Sequence, residues 1–357
     1  MPRHKKYKYE VVDLFCGIGG LSYGLKSRGF NILAGYDLDQ TCRYAYEINN
    51  EAVFNYRDIK SVTGKEIAEQ YDKKSIKVLV GCAPCQPFSS YAFKNKKKDP
   101  NKYDLLYEFG RLIREVRPDV IAMENVTQIL RFTEKPVLND FLALLEELNY
   151  QYDVRQVYCP DYGIPQTRKR LVVVASRFGS IRLVPSTHSK GNYVTVRQVI
   201  GALPAIASGE TCPTDPLHRC TALSPLNLKR IKATPYGGGW KNWPSELVLK
   251  CHKETTGRSY GSVYGRMEWD KPGPTMTTQC TGLGNGRFGH PEQDRAISLR
   301  EAALLQTFPM DYRFFSDEEE VSITKASRYI GNAVPPRLGE VIGDTIIEHI
   351  NGIQPKI

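Results

Sequence analysis

Short apolar runs recur through the first half of the chain, and each closes on a glycine or a polar turn. Tyr9–Phe15 (YEVVDLF), Asn31–Tyr36 (NILAGY), Lys77–Val80 (KVLV) and Asp119–Met123 (DVIAM) predict strands buried on both faces. Helical spacing separates them. Leu21–Arg28 ends at Gly29, Leu105–Val116 must stop before Pro118, and Pro136–Leu148 carries a further apolar stripe. Strand and helix in alternation predict an α/β fold, a doubly wound and mostly parallel sheet. Tyr152–Cys159 and Leu171–Ala175 predict a strand pair joined by PDYGIPQTRKR.

Beyond Phe178 the pattern changes. Residues 180–290 are richer in Pro, Gly and Thr and poorer in long helices, which predicts a second, smaller and irregular domain. Helix returns at Ile297–Thr307, with Ser298 and Glu301 spaced as a capping box. A closing helix over 338–350 has an apolar stripe that should dock on the first domain. Residues 1–179 and 291–357 are therefore expected to form one domain and 180–290 the other.

Composition narrows the class. Nine scattered cysteines make no disulfide framework, and reduced intracellular thiols are expected. MPRHKKYKY at the start lacks the apolar core of a secretory signal, and no run reaches transmembrane length. The expected location is the cytoplasm. The 357 residues carry a net charge of +10, which suits a soluble surface or a polyanionic partner such as nucleic acid.

Candidate chemistry sits at the strand ends. GCAPCQPFS, Gly81–Ser89, places Cys85 on a turn stiffened by Pro84 and Pro87. Cys85 reads as a small buried hydrophobe, as half of a CxxC pair with Cys82, or as a nucleophile. Zinc would need a second ligand pair, and the sequence has no partner CxxC or nearby HxxxH. The glycine turn Cys16–Gly20 between strand and helix suits close approach of a ligand to backbone, without the GxGxxG dinucleotide spacing. About twenty residues on, Asp37 suits a ribose diol and Leu38 a base face, while Asp39 suits a helix cap as well. Asp58 suits an exocyclic amine or a cap. Glu124 ends the strand after that of Cys85, where a carboxylate is costly unless used or paired. Gln166, Arg168 and Arg170 alternate, so an extended backbone would point all three donors one way. Lys94, Lys96, Lys97, Lys98 and Lys102 crowd a segment without periodicity, a solvated face or a lid closing on phosphates.

Taken in order, these residues resemble the DNA (cytosine-5)-methyltransferases from end to end. DLFCGIGG resembles the family's first motif, GCAPCQPFS its nucleophile motif, ENV at Glu124 and QTRKR at Gln166 two more, and ISLREAALLQTFP and GNAVPP the last two. The variable block before ISLREAALLQTFP falls where the family keeps its target-recognition domain. The resemblance implies S-adenosylmethionine (AdoMet) as methyl donor, held by Phe15, Cys16, Gly17, Ile18, Gly19 and Gly20. Asp37 would hold the ribose, Leu38 would cover the adenine, and Asp58 and Ile59 would read its edge. Pro84, Leu105, Asn332 and Val334 would complete the pocket. The family often has glutamate at the position of Asp37 and a bulkier residue at that of Leu38.

The resemblance also implies the chemistry. Cys85 adds to C6 of a cytosine flipped out of duplex DNA. Glu124, protonated through a raised pKa, donates at N3, and Arg168 and Arg170 clamp the base. DNA contacts are expected from Gln86, Ser89, Lys94, Lys96, Lys97, Lys98, Gln166 and Arg287, with alanine at Lys96–Lys98 flattening the salt dependence. A monomer, with a cognate restriction endonuclease encoded separately, is the expected setting. Rival readings are a tRNA cytosine methyltransferase of the same family, a nicotinamide oxidoreductase, and a non-catalytic DNA-binding regulator. The large block from Ser180 to Pro291 favours DNA over tRNA. The absent GxGxxG and the PCQ turn weigh against the oxidoreductase, and the set Cys85, Glu124 and Arg168 against the regulator.

Overall fold

The computed structural model describes residues 7–84, 104–131, 136–254, 259–353 and 355. They form two compact units, one of residues 1–158, 169–186 and 334–357, the other of 159–168 and 187–333.

The first unit is built on seven strands: β1 Tyr9–Leu14, β2 Asn31–Asp37, β3 Val53–Tyr56, β4 Ile76–Gly81, β5 Val120–Val126, β6 Gln151–Tyr158 and β7 Lys169–Ser176. Their spatial order is β3-β2-β1-β4-β5-β7-β6. The first five run parallel, and β7 is antiparallel to both neighbours. Strand order reverses between β1 and β4, where Leu14 pairs with Gly81, so a crevice opens beyond their carboxyl ends.

Alternation along β1 sets the two layers. Val12 and Leu14 enter a core shared with α4 Asp104–Val116 and α5 Val137–Glu147. Asp13 points the other way, where Ser22 of α1 Gly20–Ser27 donates to it at 2.6 Å. Two shorter helices, α2 Arg43–Asn50 and α3 Gly64–Ala68, complete the crossovers. The closing helix is α11, Pro336–Ile353, and it lies on α1 so closely that a Cβ at Gly24 would stand 2.1 Å from the Pro336 carbonyl oxygen.

The second unit has little regular structure: α6 Val196–Ile200, β8 Thr211–Cys212, β9 Asp215–Arg219, α7 Pro225–Lys232, α8 Lys250–Lys253, α9 Leu299–Leu305 and α10 Ile323–Asn332. Its loops still have to satisfy their buried carbonyls, and arginines supply the donors. Arg266, 4% exposed, donates to the carbonyl oxygens of Ile231, Thr234, His290 and Gln293. Fully buried Arg295 pairs with Glu301, which also closes the expected capping box with Ser298. That network ties α9 to the loops before it. Residues 291–333, with α9 and α10, fold with the second unit, as do 159–168.

Candidate active site

The carboxyl ends of β1, β2, β4 and β5 carry the candidate residues of the first unit. After Leu14 the chain leaves the sheet with Phe15 at φ 61°, then turns through Gly17 at 51° and Gly19 at 87° into α1. Phe15 holds a left-handed backbone that costs a non-glycine residue energy. The bond that holds this turn comes from β2: Asp37 Oδ2 accepts the Gly17 amide at 2.8 Å, while Oδ1 accepts that of Asp39 at 2.8 Å. Burial pushes the Asp37 carboxyl above its usual range despite those bonds. Asp39 takes the capping reading, accepting from the Thr41 amide. Asp58 likewise caps a short turn through the Lys60 amide, with Ile59 buried beside it.

Several of these features fit AdoMet. A Cβ at Gly17 would meet nothing within 4 Å, so the turn faces open space. No side chain caps the N-terminus of α1, which leaves its first amides for a carboxylate. Leu38 stands 58% exposed at the end of β2, an apolar face without cover. Leu105 is half-buried in the first turn of α4, Pro84 is exposed after β4, and Val334 is buried. Asn332 ends α10 in the second unit and is exposed.

Beneath the glycine turn lies a buried polar group that the sequence reading missed. Asp13 is 1% exposed, and burial pushes its carboxyl up to about 7. Ser22, which donates to it, also lies 3.3 Å from the Tyr46 hydroxyl, linking β1, α1 and α2. A lone acid in an apolar run was its only sequence signal.

Glu124 is buried near the carboxyl end of β5, beside β4, whose last residue, Gly81, pairs with Met123. Arg170 of β7 brings Nε to 2.8 Å from Glu124 Oε1. Yet Oε1 has no aligned hydrogen-bond donor among the described residues, so the ion pair leaves an acceptor direction open. Burial and the neighbouring Glu124 hold the Cys82 thiol well above its ordinary value, protonated. Among the described residues no His, Cys, Asp and Glu group has the geometry of a metal site.

Cys85, Gln86, Ser89, Lys94, Lys96, Lys97, Lys98 and Lys102 lie outside the described residues. Arg168 is 2% exposed in the second unit and donates to the Met276 and Ala333 carbonyls. Gln166, expected among the DNA contacts, is fully buried, donates to the Leu305 carbonyl and the Gln306 side chain, and accepts the Met276 amide. Its donors and acceptor are spent within its own unit. Arg287 is half-buried, with Nη1 on the carbonyls of Gly237, Gly238 and Arg266.

Comparison with known proteins agrees with this layout. A model of the C-5 cytosine-specific DNA methylases matches residues 9–348. The chain is 52% identical over 346 residues to the Type II methylase M.HgiDII of Herpetosiphon aurantiacus, covering 97% of each. It is 30% identical to the Type II methyltransferase M.PspPI of a Psychrobacter strain, covering 96% of this chain and 80% of the other. Among solved structures, the Dnmt2 methyltransferase of S. pombe shares the fold with a TM-score of 0.61 at 16% identity, covering 96% of this chain and 99% of that one.

Proposed function

Because this chain belongs to the C-5 cytosine-specific DNA methylases, we propose that it methylates C5 of a cytosine extruded from duplex DNA, through a covalent bond between Cys85 and C6. It is a DNA (cytosine-5-)-methyltransferase of the Type II restriction-modification class. AdoMet is the proposed donor, and when bound it supplies the electrophilic methyl that the activated C5 takes. Phe15 to Gly20, Asp37 and Leu38 hold and orient it.

The protein's own steps follow from what cytosine lacks. C5 is a poor nucleophile until a thiolate adds at C6 and gives it enamine character. Cys85 supplies that sulfur. Electron density builds on the ring as the bond forms, and a proton from Glu124 at N3 relieves it. Arg170 keeps the Glu124 carboxyl oriented and offers cationic charge nearby. Loss of the C5 proton to water, return of the N3 proton to Glu124 and elimination of the Cys85 thiolate then restore the aromatic ring and the free enzyme. Extruding the base costs a few kcal/mol, which DNA contacts must offset.

The observation that carries this reading is Glu124, 7% exposed and oriented by Arg170 Nε at 2.8 Å, on the strand beside the one leading to Cys85. Incubation with AdoMet and a duplex carrying 5-fluorocytosine at the target tests it. A denaturation-resistant adduct that a C85S variant does not form is expected. Absence of an adduct on DNA that the protein methylates would remove the covalent mechanism. Labelled methyl transfer to tRNA in preference to DNA would remove the substrate.

A further inference from the structure

The second unit presents a built, cationic loop cluster that none of the motifs includes. It begins with Arg287, whose Nη1 sits 2.7 and 2.9 Å from the carbonyl oxygens of Gly237 and Gly238. Those glycines have little room to change. Gly237 has φ 63°, and a Cβ there would stand 2.8 Å from Glu268. The clamped turn fixes the two residues that flank it. On one side Tyr236 is 52% exposed, its hydroxyl accepting the Trp269 amide at 2.8 Å. On the other, Trp240 is 7% exposed and anchors two more segments: its Nε1 donates to the Tyr260 carbonyl at 2.9 Å, and its ring lies 4.4 Å from that of His252.

Lys241 rides on this platform. Its ammonium lies 5.9 Å from the Trp240 ring centre, on the side of the turn that faces Gly261. The residue is exposed, as are Lys250 and Lys253 on either side of His252. The acids on these segments are Glu246 and Glu254, both exposed. By contrast, much of 277–290 is turned inward, with Cys280, Thr281, Leu283 and Phe288 all buried. An exposed cation on a turn held by five backbone and ring contacts loses little freedom on binding, which is what selective reading of a base edge requires.

We infer that Lys241, on the Arg287-clamped turn 236–241, is a specificity-determining residue that donates to a base edge in the major groove of the target duplex. This rests on the proposed DNA substrate. Lysine donates there to guanine O6 and N7, and a good base contact is worth a tenfold or greater preference over the wrong base. Lys250 and Lys253, on the flanking segment, contact phosphates instead and carry no sequence information.

The test uses the whole protein, the methylated site found by bisulfite sequencing, and duplexes carrying every single base-pair change in that site. Relative to wild type, K241A is expected to lose tenfold or more in discrimination at one or two positions and to keep its thermal midpoint. K250A/K253A is expected to weaken binding equally on every duplex and to reduce the salt slope by about 2 charges. A K241A variant that behaves as K250A/K253A should, losing affinity uniformly with a shallower salt slope, overturns the assignment by making Lys241 a phosphate contact. An unchanged site profile and kcat/KM in K241A overturns it as well. Failure of wild type to methylate any duplex sinks the substrate reading instead, so the two failures are distinguishable.

Discussion

Arg170 Nε stands 2.8 Å from Glu124 Oε1, and the two come from antiparallel neighbours, β7 and β5. Glu124 itself pairs with Val172, and Arg170 with Val126, so the ion pair runs diagonally across the ladder between two residues of the same face. Diagonal neighbours are within reach of long side chains. The geometry orients the carboxyl without closing it to a third partner. E124Q is expected to lower kcat by about 10²–10⁴-fold, the usual worth of a positioned acid, with DNA affinity kept. Single-turnover methyl transfer and a filter-binding measurement check both halves.

Asp37 holds the Gly17 amide, and through it the turn that faces the proposed donor. Removing a charged acceptor from a buried amide costs about 1–3 kcal/mol. D37A is therefore expected to weaken AdoMet binding by about tenfold or more. Calorimetric titration with AdoMet should show the loss, and DNA binding without AdoMet should not change.

Gly24 lets α11 lie on α1. An added Cβ would sit 2.1 Å from the Pro336 carbonyl and 2.7 Å from the Glu340 amide, both backbone atoms. The helices must separate, so G24A is expected to destabilise by about 1–3 kcal/mol or more. An S27A change one helical turn along serves as control in denaturant unfolding, and equal midpoints for the two variants would contradict the close packing.

Asp13 makes stability depend on pH. Its folded value of about 7 lies above the ordinary 3.8, so the folded chain binds the extra proton between about pH 4 and 7. Its stabilising contribution is complete at low pH and is lost as pH rises through 7, by up to about 4 kcal/mol. D13N carries no such proton. Its stability relative to wild type is expected to improve steadily from pH 4 to 7.5 and then level off. A constant difference across that range would show that Asp13 ionises normally.

Gln166 is expected to act on stability alone. Q166A leaves the Met276 amide and the Gln306 side chain short of a partner, a cost of about 1–3 kcal/mol. Its thermal midpoint should fall, and the salt slope of DNA binding should match wild type.

Much of the first unit follows from short-range pattern. Apolar runs of strand length buried on both faces, with glycine turns and capped helices between them, are local signals, and YEVVDL, IKVLVG and VIAMENV became β1, β4 and β5. The order of motifs carried the family for the same reason, since each motif is a contiguous stretch. Tertiary structure alone decided where the long polar side chains went. Gln166 and Arg168 look like donors for a ligand, but their partners are Leu305, Gln306, Met276 and Ala333, more than a hundred residues away. It also decided that Ser298 and Glu301 cap a helix of the second unit, because Arg295 ties them there. A side chain's neighbours in the chain set its backbone; a hydrogen bond is spent on whatever the fold brings within 3 Å, and no spacing in the sequence records that distance.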